Sequence, residues 1–150
     1  MNINLLLYLL FIASPFSVLI HELGHAIAAI SIKSNNSTIS IGSGEKLFSV
    51  QLKRINIVIH RIYFIGGYTQ NNREVPYQPG ELIWLTILGP IFNGIAACLI
   101  YLMMDLSSNA YIHLLMWFNI WLATANLLPL RIGEKQTDGY IIFQIVRGRL

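Results

Sequence analysis

Charged side chains are scarce in this sequence of 150 residues. Only 11% of them are charged, whereas 55% are hydrophobic, and the mean hydropathy is +0.58. Soluble domains carry about 25% charged residues, so a soluble fold of this composition could not cover its surface with polar groups. We therefore expect an integral membrane protein.

Cysteine is nearly absent as well. A single residue, Cys98, excludes an intrachain disulfide and a cysteine-based zinc site. The net charge is +3, but the basic residues form no face with base-stacking or groove-reading elements, so we expect no nucleic-acid partner. No Lys or Arg precedes Lys33. The first apolar run thus lacks the basic start of a signal peptide, and we expect it to be retained as a helix.

Three apolar runs, at 3–32, 82–104 and 108–130, reach the roughly 20 residues that a bilayer crossing needs. All ten basic residues lie between the first two runs or after the third. The positive-inside rule places those segments in the cytoplasm and the N-terminus outside. We expect one domain over 1–150, mainly α and embedded in the lipid bilayer of a cell membrane. It has a three-transmembrane-helix core and a cytoplasmic segment at 131–150.

The segment between the first two runs has a different pattern. Phe48, Val50 and Leu52 alternate with polar residues, which is the period of a β-strand. Glycines at 42, 44, 66 and 67 are typical of turns. The pattern predicts three or four short strands, forming a small sheet or hairpin insertion over 38–69.

Residues 21–25 read His-Glu-Leu-Gly-His, near the end of the first run. Because helix positions four apart share a face, His21 and His25 can aim at one zinc ion. Glu22 lies one step round the helix and can activate a water molecule as general base. Such patterns also occur by chance on soluble helices. In a lipid-embedded run, however, ionisable groups are expensive and indicate function.

A catalytic zinc site needs a third protein ligand and one open position. Glu134 and Asp138 both follow the third run, on the side of the motif. Asp138 precedes Gly139, which permits a tight turn, so we choose Asp138 and keep Glu134 as the alternative. The other candidate donors are less suitable. Cys98 lies within the second apolar run, His60 in the strand region, and His113 and Asp105 at the non-cytoplasmic side of the membrane. The remaining acidic residues belong to no motif, namely Glu45, Glu74 and Glu81.

Four stretches together resemble the site-2 protease family of intramembrane zinc metalloproteases (M50-type). They are Val-Leu-Ile-His-Glu-Leu-Gly-His-Ala at 18–26, Gly-Gly-Tyr at 66–68, Gly-Pro-Ile-Phe-Asn at 89–93, and Asn-Leu-Leu-Pro at 126–129 leading to Asp138-Gly139. Two features depart from the family pattern. The link after Pro129 is longer and more charged, and Thr137 stands where leucine is usual.

The resemblance implies Zn²⁺ held by His21, His25 and Asp138, with hydrolysis of peptide bonds in membrane-spanning or membrane-associated proteins. It implies a sheet that holds the substrate as an extended strand, and leaves room for a regulatory membrane partner. Asn93 and Asn126 match family asparagines that line the site and steady the substrate backbone. Hydrogen bonding between helices is the alternative role for both.

Three rival interpretations remain. The first is a catalytically silent membrane protein that keeps the fold for binding or regulation, although the intact Glu22 argues against it. The second is another HExxH membrane peptidase, whose later glutamate ligand is missing from the second and third runs. The third is a metal transporter, which would need polar ligands along several runs. The abundance of Ile and Asn suggests a bacterial origin.

Overall fold

The computed structural model describes residues 2–104 and 109–149. The chain is mainly helical, with a small two-stranded sheet inserted between the first and second long helices. The helices are α1 (Ile3–Tyr8), α2 (Ser14–Ser31), α3 (Pro79–Met103), α4 (Ala110–Leu127) and α5 (Asp138–Val146). The strands are β1 (Asn36–Leu52), β2 (Ile55–Asn72), β3 (Arg131–Ile132) and β4 (Lys135–Gln136).

Within the part of the chain that the structure describes, two helical stretches are long and apolar enough to cross a membrane, namely Ile3–Ser31 and Pro79–Met103. They correspond to the first two predicted spans. The third predicted span contains α4, an 18-residue helix whose hydropathy is lowered by His113, Asn119 and Asn126. Its predicted start at residue 108 lies outside the described residues, as does Asp105. The three-span core therefore stays a prediction.

The first long helix is continuous through a π-helical segment, Leu9–Ala13, which joins α1 to α2. Pro15 lies two residues after this segment, and it has no N–H to donate to the carbonyl of Phe11. The N–H of Ser14 bonds to the carbonyl of Leu9, five residues back. This wider turn carries one extra residue and accommodates the proline within an otherwise regular span.

Helix α2 is buried on two faces at its centre. Positions three to four apart form each face, as helix geometry requires. One face packs on α3 through Ser17, His21 and Gly24. The other packs on the sheet through Val18, Glu22 and Ala26. The outer positions remain uncovered and apolar, as at Phe16, which is 51% exposed.

The sheet contains two long antiparallel strands instead of the three or four short strands predicted. Both strands bend, so that the halves of one strand alternate with the halves of the other across the sheet. The first half of β1 pairs with the end of β2, from Asn36↔Asn72 to Ile41↔Gly67, and also with its start, from Ser37↔Ile55 to Ile41↔Ile59. Ile39 and Ile41 are almost fully buried against α2.

Replacing Gly24 by Ala is expected to destabilise the protein by about 1–3 kcal/mol, because overpacked sites repack poorly. A Cβ at position 24 would come within 3.0 Å of backbone atoms of Leu88 and Gly89, so α2 and α3 would have to separate. Thermal unfolding in detergent measures the effect. Gly94→Ala is the matched control in α3, because a Cβ there meets nothing within 4 Å. Equal melting temperatures for the two variants would contradict this packing.

Candidate metal centre

Three donor side chains from two helices converge beside the centre of α2. His21 Nε2 lies 3.1 Å from His25 Nε2 and 3.1 Å from Asp138 Oδ2, and His25 Nε2 lies 3.5 Å from Asp138 Oδ1. Both histidines are buried and Asp138 is largely so. Two imidazoles and a carboxyl group in this arrangement form a group that could hold a metal ion.

The hydrogen bond of His25 fixes which ring nitrogen carries the proton. Its Nδ1 lies 2.8 Å from the carbonyl oxygen of Leu85, which can only accept, so Nδ1–H is the donor. The Nε2 atom of the neutral ring therefore keeps its lone pair. Gly89 lies one turn beyond Leu85 and has no side chain, so the imidazole reaches the backbone of α3.

The tautomer of His21 follows from a buried network of amides. Asn93 Nδ2 donates to the carbonyl of Ser17 and to Asn119 Oδ1, at 3.0 and 2.8 Å. The amide orientation is thereby fixed, and Asn93 Oδ1 accepts from His21 Nδ1 at 2.7 Å. Asn119 in turn donates to Ser17 Oγ and to the carbonyl of Leu115. The Nε2 atom of a neutral His21 ring therefore also has a lone pair available for a metal ion.

The fit to a divalent cation is good. Two bare Nε2 atoms and a carboxylate face one another in a buried space, and Asp138 Oδ2 has no hydrogen-bond partner among the described residues. Such a cluster of lone pairs is repulsive unless a proton or a metal cation lies among them. Tetrahedral ligands 2.0–2.1 Å from zinc stand about 3.3 Å apart. The three observed separations bracket that value.

Asp138 is held in place by the start of α5. Thr137 is the N-cap, since its Oγ1 accepts from the N–H of Tyr140 and from the N–H of Leu130. Gly139 is buried where a Cβ would meet the backbone of Leu127 and Leu128, so it serves close packing against the end of α4. The carboxyl oxygens Oδ2 and Oδ1 of Asp138 are thereby directed to Nε2 of His21 and Nε2 of His25, respectively.

Glu22 lies beside this group, in a cavity of about 330 Å³. Its carboxylate Oε2 accepts a hydrogen bond from Thr69 Oγ1 at 2.7 Å. The cavity is formed by α2, the end of β2, the start of α3, the end of α4 and the segment around Asp138. Its lining includes Gly67, Tyr68, Thr69, Asn71, Leu85, Thr86, Asn126, Gln136 and Ile141.

The structure separates the other predicted site residues. Asn126 lines the cavity, and its Nδ2 donates to the carbonyl of Leu122 in the same helix. Asn93 is fully buried and contacts His21 instead of lining the cavity. Glu134 is exposed in the turn between β3 and β4, away from the donor group. His60 is also away from it and bonds to the carbonyl of Gly44.

Three contributors were not identified from the sequence: Thr69, Gly89 and Asn119. Gly89 and Asn93 fall in one stretch of the resemblance, which gave no role to the glycine. Thr69 follows the Gly-Gly-Tyr stretch directly, so its position next to a motif was the only available signal. No pattern in the sequence points to Asn119, because its role depends on how α4 packs.

The sequence is similar to those of known peptidases. A sequence model described as peptidase family M50 matches residues 9–109, more than half of the chain. The protein named "Putative zinc metalloprotease Cj1068", from Campylobacter jejuni, is 28% identical over 102 residues. That match covers 58% of this chain and 27% of the relative, so the chain spans only about a quarter of the relative's length. Asp138 and Asn126 lie beyond residues 9–109, and their assignment depends on the geometry described above.

Gly89→Ala is expected to abolish metal binding while leaving the helices folded. A Cβ at position 89 would lie within 3.0 Å of the Nε2 atoms of both His21 and His25, in the space where an ion would bind. Metal content of the purified protein measures this directly. Gly94→Ala, five residues further along α3, is the control and should bind as wild type does. A Gly89→Ala protein with a full complement of metal would refute the placement of the site.

Asn93→Leu is expected to weaken metal affinity by about 10–100-fold, because partners that orient a histidine ligand have effects of that size. Asn119→Leu should have a smaller effect, since Asn119 acts on His21 only through Asn93. Competition titration with a chelating dye measures both affinities. The network described here predicts that order, and the reverse order would contradict it.

Proposed function

Because the chain belongs to peptidase family M50, we propose that it is an intramembrane zinc metalloendopeptidase that cleaves membrane-spanning or membrane-associated proteins. The observation that carries the proposal is the convergence of His21 Nε2, His25 Nε2 and Asp138 beside the carboxylate of Glu22. The similarity to a protein named as a zinc metalloprotease supports it.

His21, His25 and Asp138 would hold the ion. Two imidazoles and one carboxylate are a donor set typical of catalytic zinc, which takes three protein ligands and keeps a fourth position open. When bound, zinc supplies the Lewis acidity that polarises a peptide carbonyl and acidifies a water molecule. The buried amide network orients the imidazole of His21, and the Leu85 carbonyl orients that of His25.

Glu22 is the proton carrier in this proposal. Its Oε2 is occupied by the hydroxyl of Thr69, which leaves Oε1 to take a proton from the attacking water. The same carboxyl group then donates that proton to the nitrogen of the leaving amine. General acid–base catalysis by a positioned carboxylate contributes about 10²–10⁴-fold to the rate.

The substrate has to reach the cavity in an extended form. A transmembrane helix bonds all of its carbonyls internally, so a scissile bond must first be unwound. Gly67, Tyr68 and Asn71 of β2 form one wall of the cavity, and Asn126 of α4 lies in the same lining. We propose that these residues receive the unwound segment, with Asn126 bonding to its backbone. Asn93 acts indirectly in this proposal, because it orients the imidazole of His21.

The remaining aspects of the proposal concern the membrane. The uncovered apolar surfaces of Ile3–Ser31 and Pro79–Met103 fit the lipid bilayer, and α4 completes a three-helix core. With all ten basic residues at one side, the N-terminus lies outside and the site opens toward the cytoplasm of a bacterial cell. The whole of 1–150 acts as one membrane-embedded domain, and a regulatory membrane partner is compatible with it.

The deciding experiment compares wild type with Glu22→Gln, Asp138→Asn and Glu134→Gln, all purified in detergent. Glu22→Gln should keep about one zinc per chain, and it should lose cleavage of an unfolded transmembrane reporter peptide by at least about 10²-fold. Asp138→Asn should lose zinc, because a neutral amide replaces an anionic ligand. Glu134→Gln is the matched control and should retain both zinc and cleavage.

The alternative functions predict other results. A catalytically silent binding protein would hold zinc in wild type without cleaving the reporter. If Glu134→Gln loses the metal and Asp138→Asn keeps it, the third ligand is assigned wrongly. Absence of zinc from wild type would refute the metal centre itself.

A further inference from the structure

The hydroxyl of Thr69 makes the single side-chain hydrogen bond to Glu22 within residues 2–104 and 109–149. Thr69 Oγ1 lies 2.7 Å from Glu22 Oε2 and 3.1 Å from the carbonyl oxygen of the same residue. A hydroxyl has one hydrogen to donate. The shorter contact involves a carboxylate, and charge-assisted bonds of this kind are the stronger ones. Thr69 therefore donates to the carboxylate.

The register between β2 and α2 makes this contact possible. A Cβ on Gly67 would lie 2.8 Å from Val18 Cγ1, so the strand approaches the helix closely at that point. Two residues along a strand advance about 6.6 Å, and four residues along a helix advance about 6 Å. From Gly67 opposite Val18, the next inward-facing residue of the strand, Thr69, therefore lies opposite Glu22.

A glutamate side chain has three rotatable bonds, and ordering such a chain costs free energy. Glu22 is buried, and its neighbour His21 belongs to the donor group. An untethered carboxylate next to the donor group could turn toward a bound cation and occupy its open coordination position. The contact with Thr69 instead holds one oxygen against the sheet.

We propose that Thr69 is a positioning residue for the reaction. It fixes the rotamer of Glu22 through Oε2, so that Oε1 is directed to the attacking water. The inference rests on the proposed function, and it assigns to the sheet a part in catalysis distinct from receiving the substrate. The geometry of the base depends on the strand segment Gly67–Thr69 being seated on α2.

Three variants test the proposal on the zinc-loaded protein. Thr69→Val removes the hydroxyl at nearly constant volume and should lower kcat by about 10- to 100-fold, as misplacement of a reacting group does. KM and zinc content should stay within twofold of wild type. Thr69→Ser retains the donor and should recover kcat to within about threefold. Thr38→Val is the matched control in β1, because the Thr38 hydroxyl makes no hydrogen bond in the described part of the chain.

Wild-type kcat in Thr69→Val would overturn the proposal, and so would an equally low kcat in Thr69→Ser. A loss carried by KM or by zinc content would also overturn it, since either would indicate a structural role.

A measurement without catalysis separates this inference from the proposed function. A double-mutant cycle compares melting temperatures of wild type, Thr69→Val, Glu22→Ala and the double variant. If Thr69 holds Glu22, the double variant should melt at the temperature of Glu22→Ala alone. Additive shifts would refute the contact. The cycle tests the contact between Thr69 and Glu22 even if the wild-type protein cleaves no reporter. Absence of cleavage would count against the proposed protease function and not against this contact.

Discussion

The close approach of α2 and α3 is the constraint on which the rest of the structure depends. Helices in lipid gain little from burying apolar groups against each other, so close packing of small residues holds them together. Here the contact lies at Gly24, against Leu88 and Gly89. It brings the Leu85 carbonyl to His25 and Asn93 to His21. A bulkier residue at Gly24 would therefore push the two helices apart, and one at Gly89 would displace the two imidazole rings.

The polar groups behind the two histidines are all neutral. Ser17, Asn93 and Asn119 are fully buried, and each has its amide or hydroxyl partners within the network. In a low-dielectric interior, a satisfied neutral network orients its members without the desolvation penalty of buried ions. Asp138 and Glu22 are the acidic side chains that line the cavity. The acidic groups are thus concentrated where a cation would bind and a proton would move.

Features that depend on local geometry could be predicted from the sequence, whereas those that depend on contacts between distant segments could not. The pairing of His21 with His25 needs only helix periodicity, and the first two spans need only their apolar length. Helix ends were less accurate: α4 stops at Leu127 because Pro129 disfavours a helical residue before it. Period-two alternation indicated strands, but pairing and bends depend on contacts far apart in the chain. The choice of Asp138 relied on elimination and resemblance, and Thr69 needed the register of strand on helix.

The extra residue in the π-helical turn divides the first long helix into two segments of different phase. One inserted residue rotates everything before it by about 100° relative to everything after it. Upstream, Tyr8 makes an edge-to-face contact with Tyr111 of α4, at 5.0 Å between ring centroids. Downstream, α2 packs on α3 and the sheet. The rotational offset at Leu9–Ala13 therefore sets the direction in which α1 presents Tyr8 to α4 independently of the faces that α2 presents to α3 and the sheet.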